Sequence, residues 1–130
     1  YLRKGINMLK QRRLYYANNR GKVIYYRRDF NCWGATAFVL GIEDKLKWIE
    51  EEEMVGILEE NTTIVETEAR QRGDILTIYD GGGDRLSHTA VYLGRGKFFH
   101  KRGMNISEIT DIGGIIRIYG NDKIEYRRVK

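Results

Sequence analysis

The chain has 130 residues, of which 42% are hydrophobic and 32% are charged, and its formal net charge is +5. This length suits a single domain with one core. No apolar run reaches the roughly 18 residues of a membrane helix, and the first residues lack the apolar stretch of a secretory signal peptide. The single cysteine excludes an internal disulfide bond. We therefore expect one domain over residues 1–130, without a membrane span.

Helical patterns dominate the first half of the chain. Apolar residues recur at helical spacing over residues 2–16, and a short β-branched and aromatic stretch at residues 23–26 predicts an extended segment or strand. Asn31 is a good helix N-cap, so residues 32–41 are predicted as a helix whose first residue is a cysteine. A second helix is predicted over residues 44–60.

The second half changes to a β pattern. Short β-branched and aromatic stretches, separated by Gly, Asn and Asp, predict strands. These lie at residues 74–79, 87–93, 97–101, 115–119 and 124–129. The three glycines at positions 81–83 predict a loop tip rather than a phosphate cradle, because neither a P-loop lysine nor a helix follows them. Helices followed by an antiparallel meander predict an α+β fold.

Three residues with the chemistry of a thiol hydrolase occur in a suitable order. Cys32 starts a predicted helix, where unpaired backbone N–H groups favour a thiolate and can help to hold an oxyanion. The two histidines, His88 and His100, lie on neighbouring predicted strands. A cysteine nucleophile needs a base, and the base needs a third group that orients it. We therefore predict Cys32 as nucleophile, His88 as base and His100 as the orienting residue.

The turn between the two histidine strands decides whether their side chains meet. With a three-residue loop at residues 94–96, Leu93 faces Lys97, and His100 lies diagonally from His88 on the same face. With a two-residue loop, the two histidines point to opposite faces of the sheet. The catalytic hypothesis therefore depends on the register of this hairpin.

Metal and polyanion chemistry have weaker support in the sequence. A zinc site built from Cys32, His88 and His100 lacks the usual CxxC or HxxxH spacing, and we predict neither a metal nor another cofactor. Basic residues cluster at both ends of the chain, which favours an anionic partner such as a cell wall polymer. Nucleic acid is not the expected partner, because no recognised binding motif is present.

Four short stretches resemble the motifs of a known family in their order and spacing. They are FNCWG at residues 30–34, RGDIL at 72–76, HTAVYLG at 88–94 and GKFFH at 96–100. Together they resemble the NlpC/P60 family of papain-like peptidoglycan hydrolases. The resemblance implies a papain-like fold and hydrolysis of an amide bond in a peptidoglycan stem peptide through an acyl-enzyme. It also implies a secreted, cell wall or phage-associated setting.

The chain departs from the family pattern next to its cysteine. The family's Asp before the cysteine is Asn31 here and its Ser after the cysteine is Trp33, at positions that shape the family's substrate pocket. We expect Asn31, Trp33, Ser87 and Tyr26 to contact the substrate. Two alternatives stay open. One is a deamidase or acyltransferase of the same fold that acts on a protein or lipid, and the other is a noncatalytic basic module that binds wall polymer or nucleic acid.

Overall fold

The computed structural model describes residues 30–102 and 107–130. The helices in these ranges are α1 (Cys32–Val39), α2 (Glu51–Asn61) and α3 (Ile112–Tyr119). The strands are β1 (Thr62–Val65), β2 (Ile75–Asp80), β3 (Arg85–Gly94), β4 (Lys97–Lys101), β5 (Ser107–Thr110) and β6 (Lys123–Val129). None of the described helices combines the length and apolar character that crossing a membrane requires. The helix predicted at residues 2–16, the extended segment at residues 23–26 and the substrate residue Tyr26 lie outside the described ranges.

The described strands form one six-stranded antiparallel sheet in the order β1-β6-β2-β3-β4-β5. Strands β2, β3 and β4 follow one another as predicted, and β5 extends this meander. Strand β6 departs from the meander, because it returns between β1 and β2. The predicted α+β class is confirmed, although β1 and β5 were not predicted.

The sheet buries a separate apolar cluster on each of its faces, as the alternation of side chains along a strand requires. The cluster on the first face joins α1 and α2 to the sheet through Ala35, Val39, Met54, Leu58, Ile75, Val91 and Phe99. The cluster on the second face joins α3 to the sheet through Leu76, Ile78, Ala90, Tyr92, Phe98, Ile115 and Tyr126. Each face therefore carries at least one helix, and α1 and α3 lie on opposite faces.

The side chain of Asn31 fixes the start of α1. Its Oδ1 atom accepts hydrogen bonds from the backbone N–H groups of Gly34 at 3.0 Å and of Ile49 at 3.3 Å. Its Nδ2 atom donates to the carbonyl oxygen of Ile49 at 2.7 Å. A Cβ atom at Gly34 would clash with the carbonyl oxygen of Lys47. Glycine is therefore required where the segment before α2 crosses the first turn of α1.

Two of the predicted helix boundaries change in the structure. The helix predicted at residues 32–41 is confirmed and ends at Val39, with Gly41 in a left-handed conformation (φ 78°) just beyond it. The second helix was predicted from residue 44, which is wrong, since α2 begins at Glu51. The intervening residues are irregular because Ile49 bonds across to the cap of α1 instead of continuing a helix.

The strand predicted at residues 115–119 is wrong, because these residues belong to α3. The Oδ1 atom of Asp111 caps this helix by accepting a hydrogen bond from Gly114 N–H at 2.9 Å. Gly120, with φ 79°, ends it. Ile115 is fully buried against the second face of the sheet. Capping and burial outweigh the β preference of the isoleucines in this segment.

The β3–β4 hairpin combines a two-residue turn with a β-bulge. Gly94 pairs with Lys97, which leaves Arg95 and Gly96 as the turn, both with positive φ. The register then shifts between Tyr92 and Gly94. One additional residue on β3 restores the alternation that a two-residue turn alone would have reversed.

Because of this bulge, the two histidines lie on the same face of the sheet. Val91 pairs with Phe99, the pairing that a three-residue loop would give. His100 is therefore level with Ala90 and diagonal to His88. The expectation that a two-residue loop would separate the histidines was wrong for this hairpin, because it did not allow for the bulge.

Asp74, in the RGDIL stretch, has a structural role and joins three strands of the sheet by hydrogen bonds. Its carboxylate is 2% exposed and accepts two hydrogen bonds from the Arg128 guanidinium, each of 2.9 Å. It also accepts a 2.7 Å bond from the backbone N–H of Gln71. The backbone oxygen of Asp74 accepts from Tyr92 N–H at 2.8 Å. These contacts tie β2, β3 and β6 together.

Candidate active site

The thiol of Cys32 lies at the edge of strand β3. Cys32 is the first residue of α1 and is 8% exposed. The helix contacts β3 through a 2.8 Å hydrogen bond between the hydroxyl groups of Thr36 and Thr89. The ladder between β3 and β4 ends at the pairing of Val91 with Phe99. Beyond this end of the ladder, the thiol contacts the backbone N–H of Thr89, the residue that follows His88 in the sequence.

Burial keeps the Cys32 thiol protonated in this structure. Desolvation raises its pKa to about 11, because the thiolate loses contact with water. Backbone N–H groups, including that of Thr89, and the nearby charge of Lys101 act in the opposite direction and lower the pKa. Burial is the larger effect. The start of the helix alone therefore does not produce a resting thiolate.

Three hydrogen-bonded side chains form a chain that begins at His88, the residue before Thr89. The Nε2 atom of His88 is 2.8 Å from the Nδ1 atom of His100, and the Nε2 atom of His100 is 3.0 Å from the Oε1 atom of Glu108. His88 is fully buried and His100 is 1% exposed. Strands β3, β4 and β5 thus each contribute one member, and pairing of β4 with β5 places Glu108 directly opposite His100.

The carboxylate end of the chain sets the direction of both hydrogen bonds. A carboxylate only accepts, so His100 donates its Nε2–H to Glu108. The Nδ1 atom of a neutral His100 then accepts, and His88 donates its Nε2–H to it. This arrangement leaves Nδ1 of a neutral His88 without a proton. That atom is buried and has no hydrogen-bond partner among residues 30–102 and 107–130.

Both imidazoles favour their neutral form. Burial lowers the pKa of His88 well below its ordinary value, and repulsion from His100 lowers it further. Burial also lowers the pKa of His100, although its hydrogen bond to Glu108 and the charge of that carboxylate oppose the effect. At neutral pH both imidazoles and the thiol are therefore neutral, and no thiolate–imidazolium ion pair is preformed.

Tyr119, the last residue of α3, stacks on His88. The two ring centroids are 3.6 Å apart and the ring planes differ by 7°. The same tyrosine ring meets His100 edge-on, with centroids 6.3 Å apart. Burial raises the pKa of Tyr119, and the negative charge of a Cys32 thiolate raises it further, which places the phenol near the sulfur.

Sequence reasoning missed Glu108 and Tyr119. Glu108 lies on β5, which was not predicted, and Tyr119 lies on the helix that was predicted as a strand. The Asp111 cap three residues before Gly114 was the available signal for that helix. The sequence offered no comparable signal for the pairing of Glu108 with His100.

The four residues predicted to contact the substrate differ in their exposure and in their free hydrogen-bonding groups. The Asn31 amide is 5% exposed and is engaged with Gly34 and Ile49. Trp33 is half-buried, and its Nε1 atom has no hydrogen-bond partner within the described residues. Ser87 is half-buried and adjoins His88. Tyr26 lies outside the described ranges.

No group of three or more His, Cys, Asp or Glu side chains within residues 30–102 and 107–130 has the arrangement of a metal site.

The family assignment rests on a match over most of the chain. The model of the NlpC/P60 family matches residues 12–118. The chain belongs to the NlpC/P60 family. No curated protein is a significant match to it.

Two solved structures show the same fold. An NlpC/P60 family protein from Bacillus cereus aligns with a TM-score of 0.55 and 22% identity over 76% of this chain and 31% of its own. A protein from Staphylococcus aureus, described as similar to a lipoprotein of the NLP/P60 family, gives a TM-score of 0.51 and 20% identity over 77% of this chain and 32% of its own. This chain thus spans about a third of each NlpC/P60 structure, and at these identities the likeness concerns the fold alone. Family membership supports a papain-like cysteine hydrolase in general terms.

Proposed function

We propose that the chain is a thiol hydrolase that cleaves an amide bond in peptidoglycan stem peptides. In this proposal Cys32 is the nucleophile, His88 the general base and acid, and His100 the residue that orients His88. Glu108 holds His100 in turn. The observation that carries the proposal is the hydrogen-bond chain from His88 through His100 to Glu108, which leaves Nδ1 of His88 without a hydrogen-bond partner among the described residues.

Acylation begins from the neutral pair. The sulfur of Cys32 attacks the substrate carbonyl carbon while Nδ1 of His88 removes the thiol proton, because neither partner is ionised beforehand. In this proposal the backbone N–H of Cys32, at the start of α1, stabilises the oxyanion. His88 then returns the proton to the leaving nitrogen, the carbon–nitrogen bond breaks and a thioester forms on Cys32.

Deacylation uses the same imidazole. Nδ1 of the again neutral His88 removes a proton from water as the water attacks the thioester. The protonated His88 then returns this proton to the sulfur, so that Cys32 is regenerated as a thiol. During both half-reactions the positive charge on His88 is opposite the carboxylate of Glu108, with His100 between them.

Digestion of purified peptidoglycan sacculi tests this proposal. The protein and its Cys32→Ala variant are incubated with sacculi of several wall chemotypes, and soluble fragments are analysed by mass spectrometry. We expect stem-peptide fragments from the parent protein only, and the masses identify the bond that is cut. Equal release by both proteins would contradict a role for Cys32.

A second candidate is a deamidase or acyltransferase that acts on a protein or lipid. The observation that favours it is the engagement of Asn31 within the fold, since the residue before the cysteine then offers neither a charge nor a free polar group to an amine. A small activated ester, p-nitrophenyl acetate, separates the candidates. An acetyl adduct on Cys32 without wall fragments supports this second candidate. Neither fragments nor adduct would favour a noncatalytic binding module.

A further inference from the structure

The stack of Tyr119 on His88 joins an electron-rich ring to an imidazole that has almost no contact with water. The rings are parallel within 7° at a centroid separation of 3.6 Å, and His88 is fully buried. Tyr119 belongs to α3 on the second face of the sheet, whereas Cys32 belongs to α1 on the first. Tyr119 thus contacts His88 directly, and the charge of a Cys32 thiolate acts on the same tyrosine from the other helix.

Proton transfer from Cys32 creates a cation in a place that disfavours cations. The face of an aromatic ring carries negative electrostatic potential and attracts a cation lying within about 6 Å of its centroid. Burial strengthens this attraction, since no water competes for the charge. The ring of Tyr119 therefore offers the imidazolium part of the stabilisation that burial removes.

The stack and the hydrogen bond to His100 control different degrees of freedom of His88. A parallel stack fixes the plane of the imidazole, but it is equally compatible with a 180° flip of the ring about its Cβ–Cγ bond. The 2.8 Å bond to His100 requires Nε2 on one side and therefore Nδ1 on the other. With both contacts present, Nδ1 has one position, and it is free of any other hydrogen bond within the described residues.

We propose that Tyr119 is a positioning residue for His88, which fixes the plane of the imidazole and stabilises its protonated form through the face of the phenol ring. The inference rests on the proposed function and adds a residue that the family resemblance did not supply. The titratable groups in direct contact with His88 are His100 on β4 and Tyr119 on α3, and Cys32 on α1 acts on Tyr119. Lys101, Arg102 and Glu108 lie one step farther out.

Aromatic replacements of equal shape provide the test. Tyr119→Phe keeps the ring face, whereas pentafluorophenylalanine at position 119 keeps the shape and reverses the potential of the face. We expect Tyr119→Phe to retain kcat within about twofold, and the fluorinated variant to lose roughly 3- to 30-fold in kcat with little change in KM. Ile118→Ala, a change at an exposed neighbour on α3, serves as the control.

Titration of His88 by NMR in the same proteins makes the outcome independent of turnover. We expect the fluorinated variant to lower the pKa of His88 relative to the Phe variant, since the cation has lost its attractive partner. The acid limb of the kcat/KM profile then moves to lower pH. An unchanged His88 titration in a folded fluorinated variant overturns the inference about Tyr119. A shifted titration in a protein that hydrolyses nothing supports the stacking inference while removing the proposed function.

Discussion

The Nε2 atom of His100 lies 3.0 Å from the Oε1 atom of Glu108, and this contact continues the hydrogen-bond chain that starts at His88. It joins strands β4 and β5 directly across the ladder. Because a carboxylate accepts and never donates, Glu108 determines which nitrogen of each histidine carries the proton. Glu108, two hydrogen bonds away from His88, thereby sets the tautomer of the proposed base.

Replacing Glu108 by Gln is expected to reduce the hydrolysis rate by about 10²-fold, the lower end of a typical acid–base contribution. The amide keeps the shape but no longer opposes the positive charge on the histidines, and it can donate to His100 and reverse both hydrogen bonds. Steady-state kinetics on the identified wall peptide measure the loss.

Glu125→Gln is the matched control for that change. Glu125 has a side-chain exposure of 20%, against 23% for Glu108, and it lies 3.8 Å from Arg127 as Glu108 lies 3.4 Å from Arg102. We expect this variant to retain the parent rate. Similar losses in both variants would argue against a specific role for Glu108.

The thiol of Cys32 is expected to react slowly with iodoacetamide at neutral pH, because burial raises its pKa to about 11. Its rate should increase by about tenfold per pH unit from about pH 6 to 9.5 without a plateau, in proportion to the thiolate fraction. The urea-unfolded protein is the control, and its rate should level off above the ordinary thiol pKa of about 8.5. A plateau near neutral pH in the folded protein would contradict the raised pKa.

Stability is expected to fall when the pH drops below the ordinary pKa of histidine. Since burial lowers the pKa of His88 in the folded protein, the unfolded chain binds a proton that the native state excludes. The contribution of neutral His88 to the free energy of unfolding is fully present above about pH 6.5, the pKa of histidine in the unfolded chain. Below that pH it decreases by up to about 1.4 kcal/mol per pH unit. Urea unfolding between about pH 7.5 and 5.5 measures the slope.

His88→Phe isolates the contribution of this one histidine. Phenylalanine retains a ring for Tyr119 to stack on but cannot bind a proton, so the pH slope should become smaller, with the contribution of His100 remaining. Equal slopes in the two proteins would show that His88 is not the titrating group.

Gly34→Ala is expected to destabilise the protein by about 1–3 kcal/mol, the usual cost of inserting an atom where there is no space. The new methyl group would clash with the carbonyl oxygen of Lys47, a backbone atom that cannot move independently of its chain. Urea unfolding measures the loss, and the displaced helix start should lower activity as well.

Gly56→Ala provides the opposite expectation within the same protein. A Cβ atom at position 56, in helix α2, meets nothing within 4 Å. This substitution should therefore stabilise the fold by up to about 1 kcal/mol, the helix preference of alanine over glycine. If both variants were destabilised equally, the close approach of Lys47 to position 34 would not explain the loss of stability in Gly34→Ala.

The Cys32 and histidine elements could be predicted because their signals are local. An N-cap at Asn31 and a glycine after the helix define α1, and alternation along the two strands defines which residues share a face. The hairpin shows how far such reasoning reaches. The same-face arrangement of His88 and His100 was correctly linked to one pairing register, but the bulge that produces this register beside a two-residue turn has no clear sequence signal.

The remaining parts of the site depend on tertiary contacts. Ile115, Ile116 and Ile118 favour a strand by local preference, and burial of one helix face on the sheet decides otherwise. Glu108 acquires its place only through pairing of β5 with β4. A contact between residues on paired strands has no local sequence pattern from which it could be predicted.

The bulge beside the β3–β4 turn makes the site sensitive to the length of this hairpin rather than to its composition. Substitutions at Arg95 need only preserve a left-handed turn residue, for which Asn or Gly would serve. Deleting one residue between Tyr92 and Gly94 would instead reverse the alternation of β4 and turn His100 toward the α1 side. Among homologues, a single-codon deletion at this buried bulge should therefore mark loss of the proposed activity more reliably than divergence of the turn sequence beside it.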